Sequence, residues 1–195
     1  LDLSNFDTEK VTDMYGMFAY CKAMKSLKLS SFDTKNVKNM SFMFFYCSSL
    51  PTLDLSGFNT ENVTDMGAMF KYCLEMEKID VAKFNTEKVT NMRGMFSGCR
   101  KITSLDLSHF NTENVTNTNT MFFSCDAITS LNLSSFKLEK VTDMGSMFFA
   151  CEKMKTIYCN YTWKCAESTS MFAYCSKLKG AVAYDENKVD VQMAN

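Results

Sequence analysis

The sequence predicts an α/β repeat solenoid. Two observations carry the prediction: a sequence period that recurs without insertion from one copy to the next, and a change of apolar spacing inside each period from two to between three and four. Leu1, Leu27, Leu53, Ile79, Leu105, Leu131 and Ile157 mark the period. Cys21, Cys47, Cys73, Cys99, Cys125 and Cys151 keep the same spacing, as do a phenylalanine column from Phe6 to Phe136, a valine column from Val11 to Val141, and Met17-Phe18 through Met147-Phe148. The consensus reads LxLSxF[DN]TxxVTxMxxMFxxCxxL.

The first element of each repeat is a short strand. Leu27-Lys28-Leu29 and its copies alternate apolar, polar, apolar, which turns two side chains inward and one outward. The second is read as a short helix, because Met14, Met17, Phe18 and Cys21 stand at i, i+3, i+4 and i+7 and so share one helical face, with Thr12 or Asp13 as its cap. Neither element buries its apolar stripe alone, so the copies must stack. The expected architecture is a leucine-rich-repeat-like right-handed coil with a parallel β-sheet on one face and short helices on the other. At about 4.8 Å per strand, seven turns extend on the order of 35 Å.

The organisation divides at the seventh turn. Residues 1–156 form six 26-residue repeats; residues 157–180 form a shortened seventh, in which Ile157 precedes Cys175 by 18 positions where Leu1 precedes Cys21 by 20. Trp163, Cys159 and Cys165 replace column residues there, as expected of a capping turn, and 181–195 reads as a polar C-terminal capping tail. Leu1 opens in mid-pattern, so the chain is expected to be part of a longer array.

Composition narrows the function classes. In 195 residues, 21 Lys+Arg against 22 Asp+Glu leave a net charge of −1, without the positive excess that a phosphate backbone demands, so nucleic acid is not an expected partner. No apolar run approaches a membrane span, and no basic-then-apolar leader opens the sequence. One histidine, His109, excludes a two-histidine metal site. No phosphate-binding glycine loop and no nucleophile with a base is present, so neither catalytic residues nor cofactors nor a metal are expected. Seven of the 9 cysteines are column members that read as small buried hydrophobes. Cys159 and Cys165 stand off the column, and whether they pair is left open.

Candidate binding residues fall on the outward strand position: Lys28, Asp54, Asp80, Asp106, Asn132 and Tyr158. The three aspartates sit about one strand spacing apart, either as a solvated face or as an acidic stripe for a ligand. A flat sheet supplies too few oxygens to enclose a hard cation. Tyr20, Phe45, Tyr46, Tyr72, Phe123, Phe149 and Tyr174 flank the inward stripe, either packing against one another or offering a surface for lateral association.

The unit LDLSGFNTENVTDMGAMFKYC, Leu53 to Cys73, followed by Met76 and Ile79, resembles the 26-residue bacterial surface-protein repeat of the BspA-like leucine-rich-repeat family. The resemblance spans residues 1 to about 180, and KLKGAVAYDENKVD after it is similar to the tail that often follows the last such repeat. It implies a secreted or cell-surface protein, with adhesion to host or neighbouring cells through a protein or glycan partner as the usual role, and it supplies no catalytic motif. A non-catalytic recognition module is therefore the expectation, with a structural spacer in a larger surface protein as the alternative. Deviations concentrated in repeats four to seven, at Val81-Ala82, His109, Thr118, Asn132, Tyr158 and Trp163, favour the first.

Overall fold

A computed structural model describes residues 2–3 and 5–179. Its strands are short: β1 (Thr52–Leu53), β2 (Lys78–Ile79), β3 (Ser130–Asn132) and β4 (Thr156–Tyr158). They form two separate two-stranded parallel sheets, β1 with β2 and β3 with β4, in which Leu53 pairs with Ile79 and Leu131 with Ile157. Successive repeats therefore lie side by side in register, each residue beside its equivalent in the next copy. Leu27 and Leu29 point inward and Lys28 outward, as do Leu53, Leu55 and Asp54, since alternate side chains of an extended segment take opposite faces.

The expected α/β solenoid is overturned on both faces: among the described residues two separate two-stranded pairs stand in place of one parallel sheet, and the helices are absent. The described residues contain no helix, so the α/β coil with helices on one face is not the architecture of this chain. The segment 14–21 is instead three overlapping turns, in which the N–H groups of Met17, Ala19 and Cys21 donate to the carbonyls of Met14, Gly16 and Phe18 at 3.3, 2.9 and 3.2 Å. The intervening N–H groups, of Met14, Gly16, Phe18 and Tyr20, donate to Asn39, Ser41, Met43 and Phe45 of the next repeat at 2.7–3.0 Å. An α-helix needs consecutive N–H groups to turn back four residues, and here every second one is committed to a neighbour.

Left-handed backbone makes this possible. Gly16 (φ 59°) and Tyr20 (φ 63°) hold the third position of the first and third turns, and their equivalents repeat the geometry to Ser170 and Tyr174. Eleven of these described positions are not glycine, although φ above zero costs an L-residue about 1–2 kcal/mol. The compensation is a set of inter-repeat hydrogen bonds, each worth about 0.5–1.5 kcal/mol net, and a dry interior. Met40, Met43, Phe44 and Cys47 are fully buried, as are Met66, Met69, Phe70 and Cys73. The helix-like spacing thus identifies the inward residues while the backbone follows another path.

Asp13, the expected cap, belongs to a run of single parallel bridges, Asp13 to Asn39, Asp65, Asn91, Asn117, Asp143 and Glu167, that joins all the repeats. Its Oδ1 accepts the N–H of Tyr15 at 2.8 Å, and Asn39, Asp65, Asn91, Asn117 and Asp143 each accept from the residue two positions on. This is the turn that short Asx side chains favour.

The core is built from columns. Phe18, Phe44, Phe70, Phe96, Phe122, Phe148 and Phe172 stack with centroids 5.4–5.9 Å apart and ring planes within 12°. Trp163 lies parallel to Phe148 at 6.1 Å in the shortened seventh repeat. Each column thiol from Cys47 to Cys175 donates to a phenylalanine carbonyl of the preceding repeat, at 2.9–3.2 Å, and all nine cysteines are free, Cys159 and Cys165 included. Burial pushes the thiols of Cys47 and Cys99 up to about 12. The buried hydroxyls of Thr8, Thr34, Thr60, Thr86 and Thr112 donate to the main-chain carbonyl 25 residues on at 2.9–3.0 Å. The tail expected to cap the chain over 181–195 lies outside the described residues.

Candidate binding surface

The outward strand position presents the six candidate residues in different settings. Lys28 is exposed and forms a single parallel bridge with Asp2. Asp54 and Asp80 are exposed and directly follow β1 and β2, so the pairing of Leu53 with Ile79 sets them on adjacent rungs. Asp106 is exposed at the equivalent position of the next repeat, where the backbone is not assigned as strand. Asn132 closes β3 and pairs with Tyr158 of β4, whose ring is 58% exposed. Lys28 and Asp54, with Ser30 and Ser56, line a shallow depression of about 370 Å³.

The polar side chains of this surface are held by their own backbone. Oδ1 of Asp54 accepts the N–H of Ser56 at 2.9 Å, Asp80 that of Ala82 at 3.0 Å, Asp106 that of Ser108 at 3.0 Å and Asn132 that of Ser134 at 3.1 Å. The Ser108 hydroxyl also donates to Asp106 at 2.7 Å. These bonds have an electrostatic result. The Ser56 amide, seconded by its hydroxyl, lowers the pKa of Asp54, and the Ser108 hydroxyl, seconded by its amide and by His109, lowers that of Asp106. Both carboxylates remain charged at neutral pH. Among the described residues no three His, Cys, Asp or Glu side chains gather as a metal site.

A second polar surface follows the Asx bridges. Asn119, Asp143, Ser146, Glu167 and Thr169 line an open depression of about 560 Å³, and Asn119 Nδ2 donates to Asp143 Oδ1 at 3.0 Å. Reading Thr12 or Asp13 as a helix cap hid this column. The signal available in the sequence was an Asp or Asn followed two positions later by Gly, Ser or Asn in most repeats, a pairing that suits an Asx turn better than a cap.

With the stack and its exposed columns in view, comparison with known proteins places the chain. A family model described as "Mycoplasma protein of unknown function, DUF285" matches residues 1–79 and 69–185. The chain belongs to the DUF285 family. Membership supports the BspA-like repeat resemblance and assigns no activity. A leucine-rich cell surface protein from Faecalibacterium prausnitzii A2-165 is similar at 14% identity and a TM-score of 0.38, over 73% of this chain and 37% of that one. The functional domain of InlJ from Listeria monocytogenes, described as including a cysteine ladder, is similar at 12% identity and a TM-score of 0.14, over 81% of this chain and 48% of that one. This chain thus spans less than half the length of either. No curated protein matches it. Among the described residues no helix is long and apolar enough to cross a membrane.

Proposed function

We propose that this DUF285 chain is a non-catalytic recognition or adhesion module of a cell-surface or secreted repeat protein, holding a protein or glycan partner against the column Lys28, Asp54, Asp80, Asp106, Asn132 and Tyr158. The BspA-like resemblance and the family membership support the surface setting. The observation that carries the binding reading is the fixing of Asp54, Asp80, Asp106 and Asn132 by their own turn amides. Exposed acceptors normally lose rotamer freedom when a partner docks, at about 0.5–1.5 kcal/mol per side chain. Here that freedom is already spent in folding, and Oδ2 of each aspartate is left for a donor. A row of preset acceptors suits hydroxyl- or amide-rich ligands with their own repeat.

The test is binding of the purified chain to immobilised matrix proteins, mucins and glycans, beside an Asp54→Asn/Asp80→Asn/Asp106→Asn triple variant. Asparagine keeps the acceptor that closes each turn and removes the charge. Saturable binding that falls tenfold or more in the variant is the expected result. Binding by neither protein, with both folded, would replace this reading with a structural spacer.

A further inference from the structure

The turn segments carry a second regular surface, independent of the strand face. In the column that precedes the second left-handed position of each repeat, the second repeat matches the sixth (Phe45, Phe149), the first matches the seventh (Ala19, Ala173), and Lys71 of the third corresponds to Phe123 of the fifth. In the adjacent column Tyr46 and Tyr72 of one half correspond to Ala150 and Ser124 of the other, and Gly98 stands at the centre. The first column is nearly palindromic, and the second sets bulky against small in its two inner pairs and tyrosine against tyrosine, Tyr20 and Tyr174, in its outer one.

These side chains are not absorbed by the core. Tyr20 and Tyr174 are 62% and 66% exposed, and Phe45, Tyr46, Tyr72, Phe123 and Phe149 are half-buried. Tyr20, Phe45, Tyr46 and Tyr72 touch one another through centroid distances of 5.1–6.0 Å, forming one continuous aromatic patch. Phe123 and Phe149 stack at 4.9 Å and lead on to Tyr174 at 5.0 Å, forming a second. The two patches differ in charge. Lys22 lies over Tyr20 and Tyr46 at 5.8 and 4.9 Å, and Lys71 lies over Tyr72 at 5.2 Å. At the other end the position equivalent to Lys22 is Asp126 in the fifth repeat and Glu152 in the sixth. Asp126 is engaged by Arg100 at 3.5 Å, while Glu152 is exposed.

We propose that this face is a self-association surface on which a second copy of the chain docks antiparallel, about a two-fold axis through the fourth repeat. The complementarity is in the order of residues. A two-fold axis there reverses the repeats, so the first three of one copy meet the last three of the other. That brings Phe45 to Phe149, the Lys71 ammonium to the Phe123 ring, the Tyr46 and Tyr72 rings to the small Ala150 and Ser124, Tyr20 to Tyr174, and Lys22 to Ser176, one repeat from Glu152 and within reach of its carboxylate along the stack. A parallel arrangement would set all four tyrosines of that column on themselves and lysine on lysine, whereas the antiparallel one opposes only Tyr20 and Tyr174. Aromatic patches of this kind mark protein contacts, and closed two-fold pairing is the commonest way in which identical chains meet.

Sedimentation equilibrium of the 195-residue chain over a range of concentrations tests it. A reversible dimer is expected. Lys22→Glu and Glu152→Lys should each weaken it tenfold or more, the two in one chain should restore it to within about threefold, and Phe149→Ser should weaken it without salt dependence. All four variants alter surface residues, and their circular dichroism should match the parent. A monomer at every concentration, oligomers that grow without limit, or a dimer indifferent to the charge reversals would overturn the proposal.

Discussion

Gly94 and Gly98 offer a direct test of the turn path, because a helix and a chain of left-handed turns predict effects of opposite sign for Gly→Ala. In a helix interior, alanine is favoured over glycine by about 0.8–1.0 kcal/mol. In this fold Gly94 has φ 62° and Gly98 φ 73°, so both substitutions should destabilise. For Gly94→Ala, a left-handed penalty of about 1–2 kcal/mol is partly offset by about 0.5–1 kcal/mol from the stiffer unfolded chain, leaving a loss of about 1 kcal/mol. The added Cβ itself fits, since its nearest neighbour would be Thr120 Oγ1 at 3.4 Å. At Gly98 the Cβ would fall 2.5 Å from Tyr72 Cδ1, so the ring must move. Overpacking of that kind adds about 1–3 kcal/mol, for a total of about 2–4 kcal/mol. Urea denaturation of the two variants and of Gly98→Ala/Tyr72→Ala measures all three quantities, and the double variant should recover most of the overpacking loss. Stabilisation by either single substitution would refute the turn assignment and restore the helix.

Other substitutions address the columns. Phe96→Ala, between Phe70 and Phe122 at 5.7 and 5.9 Å, should cost about 3–5 kcal/mol in urea denaturation, whereas an exposed control such as Phe6→Ala should cost under about 1 kcal/mol. Thr86→Val strands the main-chain N–H and carbonyl of Asn111 that the buried hydroxyl serves at 2.8 and 2.9 Å; a loss of about 1–3 kcal/mol is expected, largely recovered by Thr86→Ser. Thr118 has the reverse problem, a buried hydroxyl with no hydrogen-bond partner, so Thr118→Val should raise the urea midpoint by about 1 kcal/mol equivalent. Thiol titration of the native chain should modify exposed Cys159 first and leave Cys73, Cys99, Cys125 and Cys151 unmodified until denaturant is added. Because Cys47 and Cys99 ionise near 12 when folded against an ordinary 9.0, their contribution is complete below pH 9 and declines as pH rises from there towards 12, which a denaturation series in alkaline buffers measures.

The inside of the molecule was legible because burial follows side-chain chemistry at a fixed spacing. Met40, Met43, Phe44 and Cys47 lie inward on either a helix or this turn chain, so the pattern alone could not choose between them. The deciding positions are the left-handed ones. Glycine marks them at 16, 94 and 98, but Tyr46, Thr120 and Ser146 hold the same geometry and carry no sign of it in the sequence. On the candidate surface, the outward order of Lys28, Asp54, Asp80, Asp106, Asn132 and Tyr158 was readable from alternation. Which copies pair as strands was not, because pairing is a property of two repeats together and Leu105-Asp106-Leu107, which is not assigned as strand, looks like every other copy. The threonine that follows the first phenylalanine column passed unnoticed for a related reason: a hydroxyl's partner 25 residues away leaves no local mark.

The alternation of N–H groups in segments such as 14–21 bears on how such a chain can change its length. Half of each segment's amides find their acceptors one repeat ahead, as Met14 does at Asn39 and Phe18 at Met43, so a repeat is completed by its successor. Duplication or loss of one whole repeat length, begun at any point, returns every donor to an equivalent acceptor and every phenylalanine to a ring. A change of another size keeps the columns only where the connecting backbone absorbs it, as in the shortened seventh repeat, where Phe172 still stacks on Phe148 and Cys175 still donates to the Phe148 carbonyl. Genetic recombination between repeats would therefore yield folded chains of different heights, whereas insertions inside the stacked turn segments would be removed by selection, and the unbroken spacing from Cys21 to Cys151 is the trace such a process would leave.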